Sequence, residues 1–410
     1  MDTKSKFIGG NSTGRRAAVL ILCALPIALL NSASRGEPYD FECGAEVDHC
    51  DCGSSVWQEY EGPFSAVRNA VDVDVLYTTD SFLNTRGGVR TGGTSQGLLD
   101  VVLRTDLAAL GFETIGGSVV LHGQNNHGPF FQPYVGRTQS SNIDAEPFTA
   151  MAEFFWERGL FDDDVIVRIG RQVGAIQFSV MDLAADFTYG GFQLSANNPL
   201  PWYPNPTIAA TADIRLTDSL RVNLGTFNGR VDLSPWGWAR DGKVYNVVEF
   251  NYSYQLGDLQ GDIKQGSWYQ SGSHTTPDAA STRSGNYGFY VGWQQLLCAE
   301  ECDPTQGLGA FAVYSYADPD RSAVEHFWAT GMTYRGLLPS RDADVTGIGA
   351  TFADFSSLLG SRNVETNLEL FYKIAVCESA ALQPSLQYVS SPSGIYSDSV
   401  VVGLRCVVGL

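Results

Sequence analysis

The most informative absence is that of long apolar segments beyond the N-terminus. Every later apolar run is soon interrupted by Gly, Asp, Asn or Arg, whereas a membrane-spanning helix needs about 20 mainly apolar residues in a row. Basic residues are also scarce, with 26 Lys and Arg against 45 Asp and Glu. This balance argues against nucleic acid as a partner, because phosphate binding requires a basic face.

A catalytic signature is missing as well. The chain has five histidines and no G-x-S-x-G motif. The histidines are scattered, and His122 and His127 beside Gly-rich turns are the one pair that could belong to a catalytic site. No nucleophile, base and orienting group can be assembled around them. We therefore predict that the protein is not an enzyme and has no cofactor.

The first 34 residues have the pattern of a secretory signal peptide. Four basic residues precede an apolar run at 17–30, and small residues follow at 32–34. A membrane anchor is the alternative, but this run is shorter than a spanning helix and contains Pro26. Residues 1–34 hold four of the 26 basic and one of the 45 acidic residues, so 22 and 44 remain and the mature net charge is −22.

Residues 35–65 are polar and loop-like, and we interpret them as a short N-terminal extension before a main domain at 66–410. The main domain alternates apolar and polar residues with a period of two, which is typical of strands. Near the C-terminus, Leu368 and Leu370 fall on one face and Asn367 and Glu369 on the other. The sequence therefore predicts an all-β fold with one apolar and one polar face per strand.

Two architectures fit this alternation. In a soluble sandwich the polar faces would meet bulk water, and in a transmembrane antiparallel β-barrel they would line a wet lumen. Several segments reach the roughly 9–11 residues that a membrane strand needs. Composition also favours the barrel, because the chain is rich in Gly (44) and aromatic residues (12%) and only 17% charged. The proline-rich stretch 197–207 would then be a rigid loop that can fold inward.

Seven of the eight cysteines lie beyond residue 34, and an exported protein can form disulfides. Cys298 and Cys302, with the acidic residues Glu300, Glu301 and Asp303 beside them, are expected in a turn or loop, where we predict a small-loop disulfide. A metal site is the alternative, but no histidine lies nearby to complete it. The cysteines at 43, 50 and 52 with His49 match no standard zinc spacing, so disulfides are favoured there also. Cys377 and Cys406 would point to opposite faces of the wall and should not pair with each other. No metal site is predicted.

Several segments resemble the OprB-type carbohydrate-selective porins of bacterial outer membranes, and the similarity covers nearly all of the chain after residue 34. These are Asp74–Asp80, Asn84-Thr85-Arg86-Gly87-Gly88, Asp106-Leu107, Gly116-Gly117, Arg168-Ile169-Gly170-Arg171, Glu365–Tyr372, Leu382–Val389, Pro392 and Gly403-Leu404-Arg405. The last four, in this order, are the most specific. Two features depart from the family pattern: the chain ends in Leu410 rather than an aromatic residue, and its cysteine content is high.

The resemblance implies a sixteen-stranded barrel, usually trimeric, that lets small sugars diffuse passively across the outer membrane. A selective channel needs a constriction whose polar groups replace part of a solute's hydration. From alternation we predict that seven charged residues line the solute path: Arg104, Arg168, Arg215, Glu249, Glu369, Lys373 and Arg405. They could equally be ordinary wall charges away from the constriction. Trp202 and Tyr203 could stack on sugar rings, or serve as girdle or loop-packing residues.

Two other functions remain open. The acidic balance would suit a general or cation-preferring porin if the lumen shares it. A barrel plugged by its own loops would instead be a structural or adhesive surface protein. The sequence does not separate lumen residues from those of outer loops, so we keep a passive sugar porin as the main hypothesis.

Overall fold

The computed structural model describes residues 70–228, 243–300, 303, 306–360 and 362–409. The predicted signal peptide (1–34) and the predicted N-terminal extension (35–65), with Cys43, His49, Cys50 and Cys52, lie outside them. Strand β1 begins at Val71. No helix in the described part of the chain is long and apolar enough to cross a membrane.

Sixteen antiparallel strands form one closed barrel, in which each strand pairs with its sequence neighbours and β1 closes on β16. The strands are β1 (Val71–Gly88), β2 (Gly92–Asp106), β3 (Ser118–His127), β4 (Phe148–Leu160), β5 (Val165–Gln172), β6 (Thr207–Arg215), β7 (Leu220–Asn228), β8 (Val244–Leu256), β9 (Leu259–Thr275), β10 (Thr282–Ala299), β11 (Gly307–Ala317), β12 (Val324–Arg335), β13 (Val345–Phe355), β14 (Glu365–Cys377), β15 (Ala380–Ser390) and β16 (Ser397–Gly409). The barrel and its strand number are as predicted.

The two ends of the barrel differ. The end that holds the start of β1 and the end of β16 has mostly tight connections, such as 161–164, 216–219 and 378–379; we call it the turn end. The opposite end, the loop end, carries the long connections 128–147 and 173–206. In outer-membrane barrels, short turns face the periplasm and long loops face outward.

Alternation sorts the side chains as the sequence predicts. On β14, Leu368 and Leu370 are 44% and 49% exposed, whereas Asn367 and Glu369 are at most 2% exposed. On β16, Val402 and Leu404 are exposed while Arg405 is buried. Successive side chains of a strand point to opposite faces, so the apolar row faces outward and the polar row faces the lumen. An apolar outer wall is what lipid requires.

Candidate functional site

The lumen is partly filled by two long connections, which we call internal loop A (128–147) and internal loop B (173–206). Both begin and end at the loop end and fold back between the walls. Residues from each are deeply buried, including Val135 and Phe187, which are 0% exposed. A short helix, Gln132–Val135, and three short 3-10 turns give the loops local order. The interior is therefore narrowed by defined chain segments.

Internal loop B follows the wall around most of the barrel. Its Ser179 amide donates to Glu249 of β8 at 2.6 Å, and the Leu183 amide donates to Gln294 of β10 at 3.3 Å. Further on, Thr188 donates from both its amide and its hydroxyl to Glu369 of β14, at 2.8 and 2.7 Å. Each anchor is an inward wall side chain that accepts from the loop. The wall thereby sets the path of the loop.

Glycines in the inward rows make this close approach possible. A Cβ atom at Gly349 would lie 2.6 Å from a ring carbon of Phe192 and 2.8 Å from one of Phe187. The two rings stack with centroids 4.2 Å apart and pack on Phe311 and Phe371 of the wall. A larger residue at 349 would push the loop away, since a packed interior tolerates little added volume.

Internal loop A is anchored on the side where the barrel closes. Arg405 of β16 donates to both carboxylate oxygens of Asp80 on β1 at 2.7 Å, and to the Asn142 side chain of the loop at 2.5 Å. Ser141 donates to Asp80 at 2.9 Å. Within the loop, Asp144 accepts the amides of Phe131 and Gln132 at 2.6 and 2.8 Å. Burial raises the pKa of Asp144, and these two bonds partly oppose that rise.

Four of the seven predicted path residues act as anchors of the internal loops. Glu249 and Glu369 accept from loop B, Lys373 forms a salt bridge with Asp186 of loop B at 2.8 Å, and Arg405 holds loop A. All four are inward, as predicted, and at most 8% exposed. Most of their polar atoms are engaged with protein groups. Direct contact with a solute stays a prediction for them.

Arg104 and Arg168 meet at a third side chain that the sequence did not single out. Glu157 of β4 accepts from Arg104 Nη1 at 2.8 Å and from Arg168 Nε. The side chains are 17%, 17% and 13% exposed, so they retain contact with the lumen. The two guanidinium groups share this carboxylate, and Asp72 lies directly opposite Arg104 on β1. The group offers N–H donors that suit hydroxyl oxygens.

Arg215 lies elsewhere. It is the last residue of β6, at the turn end, and pairs with Asp164 of the 161–164 turn. The side chains of the pair are 41% and 48% exposed. Arg215 belongs to the inward row of β6, as predicted, but it lies at the rim of the barrel, away from the two internal loops.

The two aromatic residues differ in exposure. Tyr203 is 5% exposed, its hydroxyl donates to the Ile143 carbonyl at 3.0 Å and accepts from Asn126 at 2.7 Å, and its ring packs on Phe148. It therefore joins loop B to loop A, which agrees with the loop-packing interpretation. Trp202 is only partly buried and lines a cavity between the loops.

That cavity has an apolar lining with polar groups at two points. Its apolar residues include Ala175, Ile176, Val180, Met181, Ala185 and Trp202, all from loop B. The side-chain amides of Asn142 of loop A and Gln193 also line it, and both donate to the Phe187 carbonyl. The cavity is small, about 50 Å³, and its surface is mainly apolar.

The predicted disulfide between Cys298 and Cys302 is wrong, because Cys298 is a free, exposed thiol. The sequence placed it in a loop, but β10 continues to Ala299 and Cys298 pairs with Leu308 of β11. Cys302 itself lies outside the described residues. Cys377 is disulfide-bonded and Cys406 is free, which confirms that these two do not pair.

The two histidines near the Gly-rich turns lie on opposite faces of β3. His122 points inward and contacts Asp100 at 2.8 Å and Glu153 at 3.3 Å. His127 is exposed on the outer wall, where it contacts the Tyr77 hydroxyl at 2.9 Å. They do not share a site. Among the residues that the structure describes, no group of three or more His, Cys, Asp or Glu is placed to hold a metal ion.

Three inward residues were not among the predicted path residues: Asp80 and Glu365, which hold the internal loops, and Glu157, which joins Arg104 and Arg168. Each obeys the alternation rule, so an inward charge on a strand was the available signal. The loop partners of Asp80 and Glu365 are far away in sequence, however, and nothing local distinguishes these two residues from other wall charges.

Comparison with known proteins agrees with this architecture. The model of the carbohydrate-selective porin, OprB family, matches residues 93–410. Porin B of Pseudomonas aeruginosa is 24% identical over 148 residues, which is 30% of this chain and 33% of that protein. The match thus spans about a third of the length of that relative.

Solved structures show the same fold. Pseudomonas putida OprB at high pH superposes with a TM-score of 0.76 and 18% identity, covering 84% of this chain and 95% of that one. Salmonella typhi OmpF, in complex with daunomycin, gives a TM-score of 0.56 at 10% identity, covering 83% and 97%. Porin barrels of this kind are outer-membrane channels without catalytic activity. With most of its length matched by the family model, the chain belongs to the carbohydrate-selective porin, OprB family.

Proposed function

We propose that the protein lets small carbohydrates diffuse passively through its lumen. The observation that carries this is the match of the carbohydrate-selective porin, OprB family model to residues 93–410 of a closed barrel whose lumen is narrowed by two internal loops. The apolar surface of loop B at Trp202 supports it, because a sugar ring has an apolar face that such a surface can contact.

The wall offers further hydrogen-bonding groups along the way. Arg104, Glu157 and Arg168 form a partly exposed cluster, and the Asp100, His122 and Glu153 group lies nearby on β2, β3 and β4. Mixed donors and acceptors suit neutral polyhydroxylated solutes better than ions of one sign. We infer that neutral sugars are preferred although the mature chain carries a net charge of −22.

A liposome-swelling assay tests the proposal directly. Vesicles with reconstituted protein are expected to swell fast with monosaccharides, more slowly with disaccharides, and slowly with charged amino acids of monosaccharide size. Empty liposomes and vesicles with a general porin serve as controls. Equal entry of sugars and charged amino acids would indicate a general or cation-preferring porin, and the absence of ion conductance in planar bilayers would favour a plugged surface protein.

The same assay also tests whether an aromatic side chain stacks on sugar rings. We propose that Trp202, which is partly buried at the cavity, presents its ring to the apolar face of a passing sugar. Trp202→Leu should therefore lower the swelling rate with hexoses relative to linear polyols of similar size. An unchanged ratio would leave Trp202 with a packing role only.

We also propose that residues 1–34 direct export, and that the protein assembles into homotrimers. The second proposal is supported by a row of hydrogen-bonded polar side chains on the outer wall from β1 to β4. The Tyr77 hydroxyl contacts His127 at 2.9 Å, and Asn125 donates to Thr149 at 2.6 Å. Polar groups facing lipid are unfavourable, whereas contacts between membrane proteins use polar and small residues. Light scattering of the detergent-solubilised protein should give a trimer mass, and a monomer at all concentrations would contradict it.

A further inference from the structure

Glu365 lies where three loops meet. It is the first residue of β14, points inward at the loop end, and is 0% exposed. Five donors reach its carboxylate: the amide and hydroxyl of Thr138, the amide of Ser393, the hydroxyl of Tyr189 and the side chain of Asn367. The first three lie 2.8, 2.9 and 2.6 Å away, and the others 3.4 and 3.1 Å.

Each of the three principal partners belongs to a different segment. Thr138 is in internal loop A, Tyr189 is in internal loop B, and Ser393 is in the connection 391–396 between β15 and β16. A buried carboxylate is stable when hydrogen bonds replace its hydration, and here those bonds come from all three segments. Displacing any one segment would leave the carboxylate short of donors.

Neighbouring contacts tighten the same junction. Arg137 lies over the Tyr189 ring at 4.5 Å and donates to Gln387 of β15 at 2.7 Å. Gln387 in turn donates to the Thr188 hydroxyl of loop B at 2.8 Å. Loops A and B are also joined directly, since the Asn142 amide donates to the Thr188 carbonyl at 2.9 Å and the Gly190 amide donates to the Ser140 carbonyl at 3.0 Å. Glu365 and Arg137 therefore connect this joined pair of loops to the wall.

The outer connection is tied in by a residue with an unusual backbone. Ser393 has a φ of 50°, a left-handed conformation that non-glycine residues adopt when surrounding contacts enforce it. Its amide donates to Glu365, its hydroxyl donates to the Gly136 carbonyl of loop A at 2.7 Å, and its carbonyl accepts from Arg362 at 2.8 Å. The backbone conformation at residue 393 is therefore coupled to the position of loop A.

We propose that Glu365 is a positioning residue that holds the joined internal loops A and B at one place on the wall and couples their position to the outer connection 391–396. The width available to solutes then depends on this junction, and a change at the outer surface near residue 393 alters it. The expected effect on sugar size selection rests on the proposed function. The expected effect on ion conductance depends on the same width but does not require that sugars are the solutes.

The experiment uses the full-length protein in liposomes and planar bilayers. Glu365→Ala should raise the single-channel conductance. It should also raise the liposome-swelling rate with a trisaccharide several-fold relative to the rate with a monosaccharide. Glu365→Gln, which keeps one acceptor oxygen, should lie between the wild type and Glu365→Ala. Glu146→Ala removes an exposed carboxylate from loop A itself and should leave both readouts unchanged.

Two milder variants keep the test decisive if Glu365→Ala does not fold. Thr138→Val removes only the hydroxyl contact, and Ser393→Gly removes the bond to Gly136 while accepting the left-handed backbone. Both should shift conductance and the sugar ratio in the direction of Glu365→Ala, and a double variant should be non-additive because the residues share a network. The proposal would be overturned if folded Glu365→Ala protein had wild-type conductance and a wild-type sugar ratio. If Glu365→Ala does not fold, the same result for both Thr138→Val and Ser393→Gly would overturn it. If the wild type shows no sugar preference but Glu365→Ala still raises conductance, the proposed function fails and the positioning role stands.

Discussion

Replacing Glu369 with alanine is expected to convert the channel into a wider and less selective one. Glu369 accepts the amides of Thr188 and Tyr189 at 2.8 and 2.9 Å and the Thr188 hydroxyl at 2.7 Å. It is the point where loop B turns back from the far wall. Without it, single-channel conductance should rise several-fold and the preference for monosaccharides over disaccharides should fall.

The physical reason is the cost of unpaired polar groups. A buried amide that loses its acceptor costs about 1–3 kcal/mol of stability. This substitution removes the acceptor of two amides and one hydroxyl at once. Loop B regains those hydrogen bonds by moving into the water of the lumen. The wall strand β14 keeps its own ladder to β13 and β15, so the barrel should survive while the loop is released.

Two comparisons separate loop release from a general electrostatic effect. Glu369→Gln retains an acceptor oxygen and should preserve most of the selectivity. Glu378→Ala removes an exposed carboxylate from the turn at the other end of the same hairpin and should change neither readout. If Glu369→Ala and Glu378→Ala gave the same small change in conductance, the anchoring role would be refuted.

The walls of the barrel were predictable because period-two alternation is local. The inward placement of Glu369, Lys373 and Arg405 and the outward placement of Leu368 and Leu404 follow from strand geometry alone. Which group each inward charge binds does not follow. The partner of Glu369 lies 181 residues away in the sequence, and no pattern within β14 indicates that a loop passes in front of it.

Tertiary contacts also decided two points that the local sequence left open or gave wrongly. For Tyr203 the sequence left both sugar stacking and loop packing open, and its contacts with Ile143 and Asn126 favour loop packing. Cys298 was assigned to a loop because acidic residues and a second cysteine follow it, yet pairing with β11 extends β10 past it. In both cases a tertiary contact decided what composition left open.

The second large effect is expected at the seam where the barrel closes. Asp80 and Arg405 lie directly opposite each other on β1 and β16 and form a bidentate pair whose side chains are 3% and 6% exposed. Removing one partner of such a pair leaves a buried charge without compensation and costs roughly 3–5 kcal/mol. Asp80→Asn and Arg405→Gln should each lower the midpoint of denaturant-induced unfolding in detergent, followed by tryptophan fluorescence.

The double variant Asp80→Asn with Arg405→Gln should recover much of this loss, since neither charge then remains and both amides can hydrogen-bond. Arg215→Gln supplies the matched control: Arg215 also pairs with an aspartate, but at the turn end where the side chains are 41% and 48% exposed, so its loss should hardly move the midpoint. Because Arg405 and Asp80 also hold Asn142 and Ser141, the single variants should in addition raise channel noise as loop A loosens. An Arg405→Gln barrel as stable as Arg215→Gln would show that the strand ladder alone closes the seam.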